Sequence, residues 1–149
     1  MDNQLIATIQ RDCEALSMAY ARAIDFRDYD HFVTLFTDDA VLDLGRPLRG
    51  RDEIHAAVSA RPDELRSRHV ITNVFVDVVD EDTARGIAYL TLYRHLADKP
   101  SIPGPGSDPA PATLPAAVGH YQDRFARQPD GWRFEARTLH LAFRDPAAF

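Results

Sequence analysis

The chain reads as an α+β domain, helices first and then a succession of antiparallel strands, and three features of the sequence lead there. Apolar residues in the first quarter recur at helical spacing. Two long later runs alternate at period two across an acidic turn, and a second alternating pair is joined by Gln128-Pro129-Asp130-Gly131. With 149 residues, 45% of them apolar, residues 1–149 make one domain with enough core to fold without disulfide or metal staples. Folded together, the strands should curl around the first helix.

Leu5, Ile6, Ile9, Leu16, Tyr20, Ala23 and Ile24 form the stripe of a long amphipathic helix that ends near Asp25 or Phe26. Asp28 suits the N-cap of a short second helix carrying Tyr29, Phe32, Val33 and Phe36. Ala40 to Leu44 can make a short strand, broken by Gly45-Arg46-Pro47. A third helix opens after Gly50 on Asp52 and Glu53, buries Ile54, Ala57 and Val58, and stops by Pro62. The stretch from about 97 to 115 holds most of the ten prolines, two of them next to glycine, so no regular element can form there; it is a disordered connector or a lid. Val118–Arg127 and Trp132–Phe143 then form a hairpin, with Trp132 as a core anchor.

The central stretch from Arg66 to His95 is a strand pair turning at Asp80, Glu81 and Asp82. On its first strand Val70, Thr72, Val74, Val76 and Val78 fall on one face, and His69, Ile71, Asn73, Phe75 and Asp77 on the other. On the second, Ile87, Tyr89, Thr91 and Tyr93 oppose Ala88, Leu90 and Leu92. All these faces look covered, which suggests a packed or partner-facing surface behind and a pocket in front that holds a histidine and an amide among apolar neighbours.

Several functions are excluded. A net charge of −6 with 17 scattered Lys and Arg speaks against nucleic acid. No segment approaches a membrane span, and Met1-Asp2-Asn3-Gln4 has no basic leader, so the expectation is a cytoplasmic protein. The single Cys13 reads as a buried thiol. His31, His55, His95, His120 and His140 lie on separate elements without metal-ligand spacing, Gly104-Pro105-Gly106 lacks the amides of a phosphate cradle, and no serine stands in a nucleophile elbow.

Certain motifs, in this order along one chain, resemble a known family. They are Ala23-Ile24-Asp25-Phe26-Arg27-Asp28-Tyr29-Asp30, Leu35-Phe36-Thr37-Asp38-Asp39-Ala40, Gly50-Arg51-Asp52-Glu53-Ile54, Arg68-His69 with Thr72-Asn73, Gly119-His120-Tyr121-Gln122-Asp123, and Asp130-Gly131-Trp132-Arg133-Phe134. Together they are similar to the SnoaL-like branch of the nuclear-transport-factor-like cone folds, which includes polyketide cyclases, scytalone dehydratase and a dehydrochlorinase. The resemblance implies three helices and a curved, mostly antiparallel (mixed) sheet wrapped as a cone around the first helix. It also implies a dyad inside the cone, with Asp25 and His69 in its two positions. His69 would take a proton from carbon while Asp25 orients and stabilises the imidazolium, with no metal or organic cofactor. The chain also departs from the relatives. Ile24 and Leu44 replace the tyrosine pair of scytalone dehydratase, and Arg94 falls at or beside its second histidine. Arg137 matches an arginine of the dehydrochlorinase, whose lysine is replaced by Tyr20.

The residues leave alternatives open. On a straight helix Asp25 lies about 160 degrees from the apolar stripe, which describes a solvated aspartate as well as a pocket one. His69 fits a core histidine bonded to backbone as well as a base. Tyr20, Asn73, Tyr93, Tyr121 and Arg137 are the substrate-binding candidates. Tyr121 can equally be packing, Asn73 a partner of buried backbone, and Arg137 half of a surface ion pair with Glu135 or with Asp123's neighbours; buried beside Asp25, Arg137 would instead hold that carboxylate ionised. The reading that results is a cofactor-free lyase or isomerase (dehydratase, cyclase or elimination chemistry) acting on a hydrophobic oxygenated small molecule such as a polyketide, steroid or terpenoid fragment. The competing readings are a non-catalytic binding cone and the small structural subunit of a ring-hydroxylating dioxygenase. The apolar back of the strands points to self-association, as a homodimer or else a trimer.

Overall fold

The structure is a computed structural model that describes residues 1–100 and 105–149. Helix α1 (Asn3–Asp25) starts at Asp2, whose carboxylate accepts the Leu5 N–H at 2.8 Å. It buries a line through Ile9, Cys13, Leu16, Ser17, Tyr20, Ala23 and Ile24. The chain then reverses at Arg27, whose φ of 60° is left-handed backbone that a non-glycine residue rarely adopts. The Arg27 guanidinium donates to the carbonyls of Asp63 and Leu65, at 2.7 and 2.6 Å, and so ties this turn to the strand that will cross the end of α1. Asp28 caps α2 (Tyr29–Thr34) by accepting the His31 N–H.

Six strands follow: β1 (Phe36–Asp43), β2 (Pro47–Arg49), β3 (Leu65–Val78), β4 (Thr83–Leu96), β5 (Ala117–Gln128) and β6 (Gly131–Arg144). Helix α3 (Gly50–Ser59) comes between β2 and β3, and a short 3-10 turn (Pro146–Ala148) ends the chain. The sheet order is β2-β1-β6-β5-β4-β3. Every neighbouring pair is antiparallel except β1 with β6, so the sheet is mixed, and it does not close on itself. Its inner face wraps α1, and Leu42, Leu90, Phe125 and Phe134 fill the core with the α1 stripe.

The expected elements are present with shifted edges. The short strand begins at Phe36 rather than Ala40, and β2, too short for an alternation signal, went unpredicted. Residues 97–100 and 105–115 carry neither helix nor strand; the expectation for 101–104 lies outside the described residues. The more consequential difference is in β3. Its alternation breaks where the pairing with β4 shifts between Thr72 and Phe75, with Asn73 at φ 51°. Before that bulge Ser67, His69 and Ile71 face inward; after it Val74, Val76 and Val78 do. Residues 69 to 77 therefore do not share one face, and Asn73 and Phe75 leave the side that His69 occupies.

Part of the outer sheet face is also not covered by the described residues. Val70, Phe75, Ile87 and Tyr89 are exposed, Phe75 by 67%. A second bulge, between Val118 and Gly119, depends on the missing side chain at Gly119, where a Cβ would collide with the carbonyl oxygen of His140.

Cys13 is wholly buried, and burial, then the charge of Asp12, pushes its thiol up to about 12. The native protein at pH 8 is expected to leave Cys13 unlabelled by a disulfide reagent such as dithionitrobenzoate, with one thiol released on unfolding in guanidinium. Prompt labelling of the native protein would contradict this packing.

Candidate active site

Asp25 is the last residue of α1, where β3 passes over the helix end. Its position there, not the apolar stripe, buries it, and only 7% of its surface stays exposed. Its carboxylate takes three hydrogen bonds from β3. Oδ2 accepts the backbone N–H of His69 at 2.8 Å. Oδ1 accepts His69 Nδ1–H at 2.6 Å and the Ser67 hydroxyl at 2.9 Å. Ser67 accepts in turn from Arg61 Nη2 at 2.7 Å, from the segment between α3 and β3. Because a carboxylate only accepts, the Nδ1 proton points at Asp25, and in the neutral ring the lone pair sits on Nε2.

His69 lines a cavity of about 530 Å³ on the inner face of the sheet. Leu90 and Leu92 from β4, Leu139 from β6 and Ile24 from α1 give it apolar walls, and Tyr20, Tyr121 and Arg61 add polar groups. Tyr20 stands edge-on to the His69 ring, centroids 6.3 Å apart, and to Tyr121 at 5.5 Å. Burial raises the Tyr20 hydroxyl above its ordinary value. Burial and then the neighbouring Tyr20 raise Tyr121 well above its own. Both phenols therefore remain protonated donors at neutral pH.

Of the seven residues singled out from sequence, Asp25, His69, Tyr20 and Tyr121 converge here. The other three do not. Asn73 is exposed at the β3 bulge, and Tyr93 is on the outer face of β4, because their alternation phase points them away. Arg137 is fully buried but is not part of the cavity wall, and its carboxylate partner is Asp123 rather than Asp25.

The Arg137 and Asp123 side chains face each other across β5 and β6 in bidentate geometry, at 2.8 and 2.9 Å, and Ser17 takes a further Arg137 N–H at 2.7 Å. The rings of Tyr121, Phe134 and Tyr20 surround the guanidinium at 4.0, 4.2 and 4.5 Å from Cζ. Nη1 has no hydrogen-bond partner, so those ring faces are its main contacts. Burial works against this charge, but Asp123 more than offsets it and holds the group above its ordinary value.

Arg61 and Ser67 were missed from sequence. Ser67 had a signal, since it is two residues before His69 and therefore on the same strand face. Arg61 had none, being a lone arginine beside the proline that ends a helix. Among the described residues no group of three His, Cys, Asp or Glu side chains is placed to hold a metal ion. No helix among them is long and apolar enough to cross a membrane.

Comparison with known proteins agrees with this architecture. The family model for the SnoaL-like domain matches residues 7–138. No curated protein matches significantly. A structure from Novosphingobium aromaticivorans, provisionally assigned as a scytalone dehydratase, superposes with a TM-score of 0.76 at 17% identity, covering 95% of this chain and 89% of that one. A second protein of that organism, described as NTF2-like with a cystatin-like fold, gives 0.72 at 21% identity over 96% and 88%. A single-substitution form of Rv3472 from Mycobacterium tuberculosis, a protein of unknown function, gives 0.72 at 25% identity over 98% and 77%.

Removing one partner of a buried pair strands the other charge, so Arg137→Met is expected to cost about 3–5 kcal/mol, read from urea denaturation. Combining it with Asp123→Leu should restore most of that loss. A single variant as stable as the parent would show that the pair is not buried as described.

Proposed function

The chain belongs to the SnoaL-like domain family, and from that premise we propose that the cavity is the active site of a small lyase or isomerase that removes a proton from carbon. The observation that carries this reading is the 2.6 Å hydrogen bond from His69 Nδ1 to a buried Asp25, which leaves Nε2 as the basic nitrogen of a residue in the cavity wall. The substrate is a hydrophobic molecule with a carbonyl or comparable activating group, matched to the leucine-lined walls.

His69 Nε2 takes the proton next to that group, and the Asp25 carboxylate offsets the positive charge that then develops on the ring. The backbone N–H of His69 and the Ser67 hydroxyl keep the carboxylate from rotating away. The electron pair released from carbon moves onto the carbonyl oxygen as an enolate. Tyr20 and Tyr121 stay protonated and hydrogen-bond each other, so one phenol O–H of the pair is left to donate into the cavity. Return of the proton at another carbon gives isomerisation, and loss of a β-substituent gives elimination. The chemistry asks for no metal or organic cofactor, and its setting is the cytoplasm.

Exchange of carbon-bound protons tests the step without knowledge of the substrate. With 2-tetralone in D2O followed by proton NMR, the protein should speed exchange at the carbons beside the carbonyl. His69→Gln and Asp25→Asn should each remove about 100-fold or more of that acceleration, with circular dichroism unchanged. Exchange as fast with His69→Gln as with the parent would eliminate the base.

We also propose that the protein is a homodimer, its outer sheet faces packed together. The support is the exposed row of Val70, Phe75, Ile87 and Tyr89 on adjacent strands. Light scattering at micromolar concentration should give twice the chain mass, and Phe75→Glu should halve it. A parent protein that scatters as a monomer contradicts the proposal.

A further inference from the structure

The whole protein carries a net charge of −6, yet three arginines and no aspartate or glutamate are among the described residues that line the cavity. Arg61 is in its wall, Arg94 reaches it from the inner face of β4, and Arg144 reaches it from the end of β6. Asp25 lies behind His69, and Ser67 stands between it and Arg61. Arg94 and Arg144 form no ion pair with a carboxylate among the described residues. Their guanidinium groups both lie over the Phe149 ring instead, at 4.7 and 4.6 Å from its centroid.

We propose that the cavity selects substrates that carry a carboxylate, and that Arg94 and Arg144 at its mouth hold that group while Phe149 covers it. The inference rests on the cavity being the ligand site and adds the substrate class. Sheet register supplies the geometry. Ser67 is opposite Arg94 and His69 opposite Leu92, so Arg94 is one inward-facing position from the imidazole, roughly 7 Å along the strand. Leu92 is opposite Ala117, and Ala117 opposite Arg144, which puts Arg144 on the His69 row at the far side of the cavity. A carboxylate held between Arg94 and Arg144 would leave an apolar body against Leu90, Leu92 and Leu139 and a carbon within reach of His69.

Electrostatics favours the same occupant. Burial lowers the Arg94 guanidinium below its ordinary value and the charge of Arg61 lowers it further, so the cavity opposes the charge on Arg94. Burial likewise lowers Arg61. An anionic ligand relieves that repulsion, and the planar guanidinium matches a carboxylate through paired hydrogen bonds. A neutral ligand of the same shape leaves the repulsion in place.

The test is calorimetric titration of the full chain with 2-naphthoate and with 2-naphthamide, its neutral counterpart. The parent should bind naphthoate about tenfold more tightly, and raising the salt concentration should weaken naphthoate alone. Arg94→Gln with Arg144→Gln should abolish that preference and leave amide affinity unchanged. The exposed Arg144→Gln alone, which perturbs no core, should lose part of it. Equal affinities in the parent, no binding of naphthoate, or a preference undiminished in the double variant would overturn the inference. Because the preference is an equilibrium property of the arginines, it should persist in His69→Gln. Its loss alongside His69-dependent exchange discards only the substrate class; its survival without such exchange discards only the catalysis.

Discussion

The Asp25 carboxylate is what joins the opening helix to the central hairpin. It accepts one backbone and two side-chain hydrogen bonds from Ser67 and His69, so the end of α1, the start of β3 and the direction of the imidazole are fixed by one group. A buried carboxylate is tolerable only when its lone pairs are occupied, and here strand backbone contributes to filling them. The Arg27 turn adds a second tie between the same two segments, from its guanidinium to the carbonyls of Asp63 and Leu65. The cavity wall that carries His69 is therefore on rigid structure rather than on a loop.

Two buried acid–base pairs occupy the inside of the sheet, and their surroundings separate their roles. Asp123 and Arg137 pair with each other in two hydrogen bonds, Ser17 takes a third, three aromatic rings surround the guanidinium, and neither lines the cavity. That pair serves packing and β5–β6 register. Asp25 and His69 are saturated on the aspartate side only, and the histidine keeps one ring nitrogen for a ligand. Tyr20 connects the two sites, since its ring contacts both Arg137 and His69. A change to the structural pair thus acts on the cavity through the position of Tyr20.

Much of this was legible in the sequence because local patterns and tertiary structure agree. The α1 stripe, the Asp28 cap, the two hairpins and the α+β order follow from spacing and turn chemistry. The convergence of Asp25 with His69 did not follow from periodicity, which put Asp25 away from the stripe; resemblance to a family pointed to it. Asn73 and Tyr93 were misplaced for different reasons: alternation on β4 groups Tyr93 correctly with Ile87, Tyr89 and Thr91 but does not say which group faces inward, whereas Asn73 sits at an irregularity of β3. A bulge inverts the alternation of β3, and nothing in Thr72-Asn73-Val74 marks it beyond an asparagine that tolerates left-handed backbone. Arg137 was seen as important but not paired with Asp123, because strand register decides which carboxylate it meets, and a β5–β6 bulge between Arg124 and Phe125 shifts that register by one residue after the turn. Resemblance drew attention to Arg94 alone, but the arginine cluster of the cavity was not legible: Arg61, Arg94 and Arg144 are far apart in the chain and meet only once the sheet has curled.

The central claim is that Asp25 fixes the His69 ring with Nδ1 protonated and Nε2 free toward the cavity. Nitrogen-15 chemical shifts of the His69 ring, followed through the pH range in which it is neutral, report this directly. The parent should give a protonated-type Nδ1 shift and a lone-pair-type Nε2 shift, with the distinction lost in Asp25→Asn. A ring protonated on Nε2, with the same shifts in the parent and in Asp25→Asn, would contradict it.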